Sequence, residues 1–271
     1  MGYLNELFSI TGKKALVTGG STGIGRMVAT ALVQGGADVM IASRKGADCE
    51  RTADDLNTLD APGKAEGFAG DISSEEGITE LAQQVQKRTD RLHILVNNAG
   101  ATWGERLDTF PYEAWARVLT VNVTGLFHLT RELLPLLDMA ASDEDPARIV
   151  NVGSVMGTQP IAEDAYSYTA SKAAVHHLTR TFAQEFAARR ITVNAFAPGT
   201  FRSRMTAFAI ATDEQAQRIG SRVPLARIGR PDDIAGATLF LCSRAGCYIT
   251  GAILPIDGGQ SVRHGISFFR E

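Results

Sequence analysis

Tyr168 and Lys172 stand four residues apart in a stretch of helical periodicity, with Ser154 upstream. Positions i and i+4 share one face of a helix, so the phenol and the ammonium can point into the same site. A free tyrosine titrates at about pH 10, and a nearby cation favours the phenolate. Lys172 is therefore expected to draw Tyr168 down toward the range useful for proton transfer, making an acid able to protonate a carbonyl. Tyr166 has Ala170 at i+4 and so lacks a matching lysine; it reads as a pocket wall or as packing.

Elements must exist to position these groups. From Lys13 onward short β-rich runs alternate with longer amphipathic stretches, the pattern of successive βαβ units around a parallel sheet. Seven strands are expected, at 15–18, 38–42, 65–69, 93–97, 148–152, 192–195 and 252–255. Helices are expected at 23–34, 48–59, 75–89, 112–137, 165–188 and 232–243. The fold class is α/β, one doubly wound domain spanning 1–271. Residues 138–147 are polar and read as a surface loop, and 201–223 read as a lid over a pocket. The tail, 261–271, carries Phe268 and Phe269 and is expected to dock on the body or on another subunit.

The first strand runs directly into Gly19, Gly20, Ser21, Thr22, Gly23, Ile24 and Gly25 and then into an apolar helix. Glycine lets the backbone turn sharply and approach a pyrophosphate, while free N–H groups and the helix dipole favour the anion. The spacing departs from Gly-x-Gly-x-x-Gly, but its place after the first strand points to a dinucleotide. An acidic residue binding the adenosine ribose would be expected about 20 residues beyond the loop. The chain instead has Ser43, Arg44 and Lys45 there, and a hydroxyl plus a guanidinium suit a 2′-phosphate. NADP(H) is favoured, with NAD(H) left open.

Among 271 residues, 44% are hydrophobic, enough for a substantial core. The net charge of -3 offers no basic field for nucleic acid. No apolar run approaches the roughly 20 residues of a membrane span, and the first residues lack the pattern of a signal peptide, so a cytoplasmic location is expected. Cys49, Cys242 and Cys247 show no zinc spacing and are expected to be inert thiols. The five histidines, His176 and His177 among them, form no metal motif, and no metal is expected.

Taken together, Thr18 to Gly25, Asn97-Asn98-Ala99-Gly100, Asn122, Ser154, Tyr168 to Lys172 and Pro198-Gly199 resemble the short-chain dehydrogenase/reductase family over nearly the whole chain. Within it the chain is similar to bacterial 3-oxoacyl-carrier-protein reductases, above all the branch associated with rhamnolipid synthesis. Residues 98–104, 145–148 and 203–206 carry that likeness. The resemblance implies that Tyr168 gives a proton to the carbonyl oxygen during reduction and that Ser154 steadies that oxygen. Lys172 would lower the tyrosine pKa and bind the nicotinamide ribose. Asn122, a poor mid-helix residue without a task, would support a water and proton relay to the lysine. Asn98, Ala99 and Gly100 would line the adenosine side, Asp71 and Ile72 the adenine, and Pro198, Gly199, Phe201 and Ser203 the nicotinamide. A homotetramer is also implied, with 122–137 and 173–186 at one interface.

The expected reaction is NADPH-dependent reduction of a ketone to a secondary alcohol, the substrate being a small carbonyl compound or an acyl thioester. An NAD(P)-linked alcohol or hydroxysteroid-type dehydrogenase working oxidatively is the competing reading. A silent dinucleotide-binding protein is disfavoured because Ser154, Tyr168 and Lys172 are all retained. Trp103, Phe201, Met205 and Phe208 suggest an apolar pocket or lid. Carrier proteins are acidic and call for basic residues at the pocket mouth. Asp143, Glu144 and Asp145 are read as facing that mouth, with Arg189 and Arg190 restoring part of the balance, which weighs against a carrier-linked substrate.

Overall fold

The structure, a computed structural model, describes residues 2–161 and 164–262. Seven strands form one parallel sheet in the order β3-β2-β1-β4-β5-β6-β7. They are β1 Lys14–Thr18, β2 Asp38–Ser43, β3 Lys64–Ala69, β4 Ile94–Asn97, β5 Ala147–Val152, β6 Ile191–Pro198 and β7 Ile253–Ile256. Alternation along the strands sends side chains to two separate cores. Leu16, Leu95, Ile149 and Val193 pack on the layer formed by α4 (Glu75–Gln86), α6 (Leu126–Ala140) and α7 (Tyr166–Phe186). Ala15, Val17, Ile94, Val96 and Val150 face the opposite layer, α2 (Gly23–Gln34), α3 (Gly46–Asn57) and α9 (Pro231–Cys242). The sheet is buried on both faces, as a doubly wound fold requires.

The strand order reverses between β1, which pairs with β2 on one side, and β4 on the other. Loops leaving the C-terminal ends of β1 and β4 therefore diverge and open a crevice there.

All seven expected strands and all six expected helical regions are present, with three differences. A short helix, α1 (Tyr3–Phe8), precedes β1, and its sequence was too mixed in character to announce it. The long helix expected over 112–137 is interrupted: α5 (Tyr112–Leu119) passes into a π-helical stretch, Thr120–Gly125, before α6 begins. Gly125 packs so closely that a Cβ there would lie 2.2 Å from the Ile72 carbonyl oxygen. The segment 201–223 contains a helix of its own, α8 (Asp213–Gly220), capped by Thr212. Phe268 and Phe269 lie outside the described residues.

The acidic loop is not at the pocket mouth. It precedes β5, at the N-terminal edge of the sheet, whereas Ser154 follows the other end of that strand. Asp145 binds Lys13 through both oxygens, at 2.7 and 2.6 Å, and binds Arg148 at 2.6 Å. Asp143 pairs with Arg190, and Asp138 with Arg189. Sequence order placed acids and arginines in two loops; the parallel sheet puts both loops at the same far edge, where they neutralise each other.

Candidate active site

The glycine loop begins at the end of β1. Gly19 and Gly23 have φ of +64° and +56°, and a Cβ on Gly25 would lie 2.4 Å from Asn98 Nδ2. Glycine is thus required by conformation at two positions and by packing at the third. Asn98 clamps the loop, its Nδ2 donating to the carbonyls of Thr18 at 2.9 Å and Gly19 at 3.1 Å. In return Thr18 Oγ1 accepts from the N–H groups of Asn98 and Ala99. Helix α2 follows Thr22 with no side-chain cap, as α3, α5 and α7 also start, but its start adjoins the glycine loop and the crevice. Uncapped N–H groups at a helix start are donors suited to a phosphate.

Two adjoining cavities of about 510 Å³ each run along the crevice and share Gly19, Arg44, Ala99, Gly100, Ala101 and Arg117. One end is lined by Ser43, Asp71 and Ile72. The other brings together Thr22, Gly23, Ile24, Asn98, Ser154, Tyr168, Lys172, Pro198, Gly199, Phe201 and Ser203. Ser21, Gly25 and Lys45 shape the walls without lining them. The Ser21 carbonyl accepts from Thr52, and Lys45 precedes α3. Ser43 Oγ lies 3.0 Å from Cys49 Sγ and 3.4 Å from the Lys45 carbonyl oxygen it donates to, so its hydroxyl is engaged within its own turn. Arg44 lines both cavities and has no ion-pair partner among the described residues, which leaves it for an anion.

At the catalytic end Ser154 Oγ accepts from Met156 N–H at 3.1 Å, and its hydroxyl lines the same cavity as the Tyr168 phenol. Burial pushes the Tyr168 phenol up, and the Ser154 hydrogen bond only partly offsets this. The expected lowering by Lys172 is not seen. Lys172, 5% exposed, donates to the Val152 carbonyl at 2.7 Å, and its Nζ lies 5.5 Å from the tyrosine ring centre. Burial pulls this lysine down to about 8, which weakens its charge as an influence on the phenol. A lysine has three donors, so two remain for ligand hydroxyls in the cavity it lines.

Asn122, in the π-helical stretch, makes three hydrogen bonds. Its Oδ1 accepts from Ala101 N–H at 2.7 Å, and Nδ2 donates to the Ala101 carbonyl and Ser171 Oγ, each at 2.9 Å. The side chain is thus a clamp on the 98–101 loop. Ser171 Oγ in turn donates to the Tyr168 carbonyl at 2.7 Å.

The segment 200–206 lies over the glycine loop: a Cβ on Gly23 would meet Ser203 Cβ at 3.0 Å. Phe201 is buried and forms a bridge to Gly229, with a further cavity on its other side lined by Val223, Pro224 and Leu225. Met205 lines the catalytic end, but Phe208 is 89% exposed and Trp103 stacks under Arg117 at 5.6 Å. Tyr166 packs edge-on against Phe110. Sequence reasoning missed Arg117, whose place in the crevice depends on where α5 lies, and it missed Thr18, readable only as the residue before Gly19. Cys49 and Cys242 are buried, and burial pushes the Cys242 thiol up to about 12.

A dinucleotide cradle at the switch point of a doubly wound sheet, joined to a Ser-Tyr-Lys group, defines a dinucleotide-dependent oxidoreductase. Residues 19–261 match a family model described as enoyl-(acyl carrier protein) reductase. The chain is 46% identical over 257 residues to a rhamnolipids biosynthesis 3-oxoacyl-[acyl-carrier-protein] reductase of Pseudomonas aeruginosa, covering 94% of this chain and 99% of that one. It is 39% identical over 261 residues to a 2-dehydro-3-deoxy-D-gluconate 5-dehydrogenase of Bacillus subtilis, covering 96% and 98%. A solved Pseudomonas aeruginosa RhlG/NADP active-site complex superposes with a TM-score of 0.90 at 43% identity, covering 95% and 99%. The chain belongs to the short-chain dehydrogenase/reductase family, NAD(P)-dependent enzymes acting on CH–OH and ketone groups.

Proposed function

We propose that the protein reduces a 3-oxoacyl thioester or a related ketone to a secondary alcohol with NADPH. The observation that carries this reading is that Ser154, Tyr168 and Lys172 line one end of the crevice, where burial pushes the phenol further up and so leaves it a proton donor at neutral pH. Tyr168 donates that proton to the carbonyl oxygen, and Ser154 holds the same oxygen where charge develops. Lys172 binds the nicotinamide ribose hydroxyls. When bound, NADPH supplies the hydride. Gly19, Thr22, Gly23 and Ile24 hold its pyrophosphate, Asp71 and Ile72 flank its adenine, and Arg44 meets its 2′-phosphate. Asn122 fixes the loop carrying Asn98 to Gly100, and 201–223 serve as the lid.

The substrate class follows the 3-oxoacyl reductase among the relatives, while the sugar-acid dehydrogenase supports oxidation of a secondary alcohol as the second reading. The charge argument against a carrier-linked substrate falls, since the acidic loop lies at the far edge and Arg44 and Arg117, which meet no carboxylate among the described residues, line the crevice. A homotetramer built on α6 and α7 fits the exposed Phe127, whose ring lies tilted against Phe182 at 5.6 Å. Among the described residues no helix is long and apolar enough to cross a membrane, and we place the enzyme in the cytoplasm. A panel of ketones, 3-oxoacyl-coenzyme A and carrier-linked 3-oxoacyl substrates, followed by NADPH absorbance, tests the reading. Turnover confined to sugar acids in the oxidative direction would reject it.

A further inference from the structure

His176 lies one turn beyond Lys172 on α7 and is 4% exposed. Its ring is wedged beneath the turn that carries Ser154. A Cβ on Gly153 would lie 2.3 Å from His176 Nε2, and one on Gly157 2.9 Å from Cε1. The two glycines bracketing Ser154 therefore leave room for the imidazole. The Ser154 N–H points at Nε2 at 3.5 Å, and Nδ1 lies 3.3 Å from Thr158 Oγ1. Nε2 accepts only without a proton, which puts the ring proton on Nδ1, facing Thr158.

We propose that His176 is a positioning residue: in its neutral form it holds the Ser154 turn at a fixed height above α7 and so sets the approach of the Ser154 hydroxyl to the Tyr168 phenol. The inference rests on the roles given above to Ser154 and Tyr168. His176 and Tyr168 share one helix, so any shift of the turn against the ring shifts Ser154 against the phenol. The charged groups around the ring also come from α7, Lys172 one turn before and Arg180 one turn after. The 153–158 turn presents no titratable side chain to it. Burial, reinforced by Lys172 and then Arg180, holds the imidazole down to about 4, so it stays neutral around pH 7.

The test uses the full chain with His176→Leu, His176→Gln, Ser154→Ala and the double variant His176→Leu/Ser154→Ala, reading kcat and NADPH affinity separately. His176→Leu is expected to lower kcat about tenfold, the scale of one hydrogen bond, with NADPH affinity within about twofold of the parent. His176→Gln keeps an acceptor and should recover most of the loss. In the Ser154→Ala background, His176→Leu should cost less than about twofold, because the group it positions is gone. Losses that multiply in the double variant, or a His176→Leu enzyme at parental kcat, overturn the inference. A Ser154→Ala enzyme at parental kcat overturns instead the assignment of the site. The parent's kcat should also fall as the pH approaches 4 and His176 is protonated, a limb absent from His176→Gln; the same limb in both enzymes counts against the proposal, and this readout does not need His176→Leu to fold.

Discussion

At the N-terminal edge of the sheet Lys13, Arg148, Arg189 and Arg190 each meet a carboxylate, whereas at the C-terminal edge Arg44 and Arg117 meet none among the described residues. Arg148, 1% exposed, donates to Asp145 and to the Ser243 carbonyl, closing a cluster that ties β1, β5 and the end of α9 together. Across the sheet α2 starts uncapped, Lys172 is buried on a single carbonyl, and the Tyr168 phenol is displaced upward. The difference teaches how to tell scaffold from site in one molecule. Charges closed on each other hold the fold, and donors left open mark where a ligand completes them.

The largest effect should come from breaking the open edge. Tyr168→Phe is expected to lower kcat by about 10²–10⁴, the range of general acid catalysis, with NADPH affinity nearly unchanged. Turnover within about tenfold of the parent would end the assignment of Tyr168 as the acid. At the closed edge, Asp145→Ala strands two buried cations. Such losses reach roughly 3–5 kcal/mol, and since Asp145 is 39% exposed the lower end, about 3 kcal/mol, is expected in denaturant unfolding. Activity per folded molecule should be unaltered; a fall in kcat would mean that the two edges are not separable.

Lys172 sharpens the comparison through pH. Its folded value of about 8 lies below its ordinary 10.5, so between these values the unfolded chain binds more protons and stability rises with pH. The cost of burying the ammonium is complete below about pH 8 and gone above about 10.5. The stability of Lys172→Met relative to the parent should therefore decrease by about 3 kcal/mol between pH 7 and 10.5. A constant difference would show that burial does not govern this lysine. The smallest effect concerns Arg44. Arg44→Asp should shift preference toward NADH by about ten- to a hundredfold, the value of one charge-assisted hydrogen bond, measured as the ratio of kcat/KM values. A parent enzyme that already prefers NADH would remove the argument.

Much of the architecture was legible because periodicity and glycine placement are local. The seven strands, the glycine loop and the Tyr168–Lys172 face all follow from neighbours in sequence. What stayed hidden depends on how distant segments meet. Asp143 and Arg190 are far apart in sequence, and only the parallel sheet brings their loops to one edge. The break at Thr120–Gly125 had no proline or polar run to announce it, and the close approach of Gly125 to Ile72 emerges only in the packed chain. Lys172 was expected to act on Tyr168 as a full charge in water-like surroundings; burial, which no spacing reveals, changed the sign of the tyrosine shift.

The clamp of Asn98 on Thr18 and Gly19 has a consequence for how the chain is made. Its two bonds span 80 and 79 residues, so the glycine loop emerges from the ribosome long before the group that fixes it. Bringing such distant segments together is a slow, entropically costly event compared with winding α2 or α3. The nucleotide cradle matures only when β4 has docked against β1, and until then the nascent chain gains no help from NADPH in reaching its native topology.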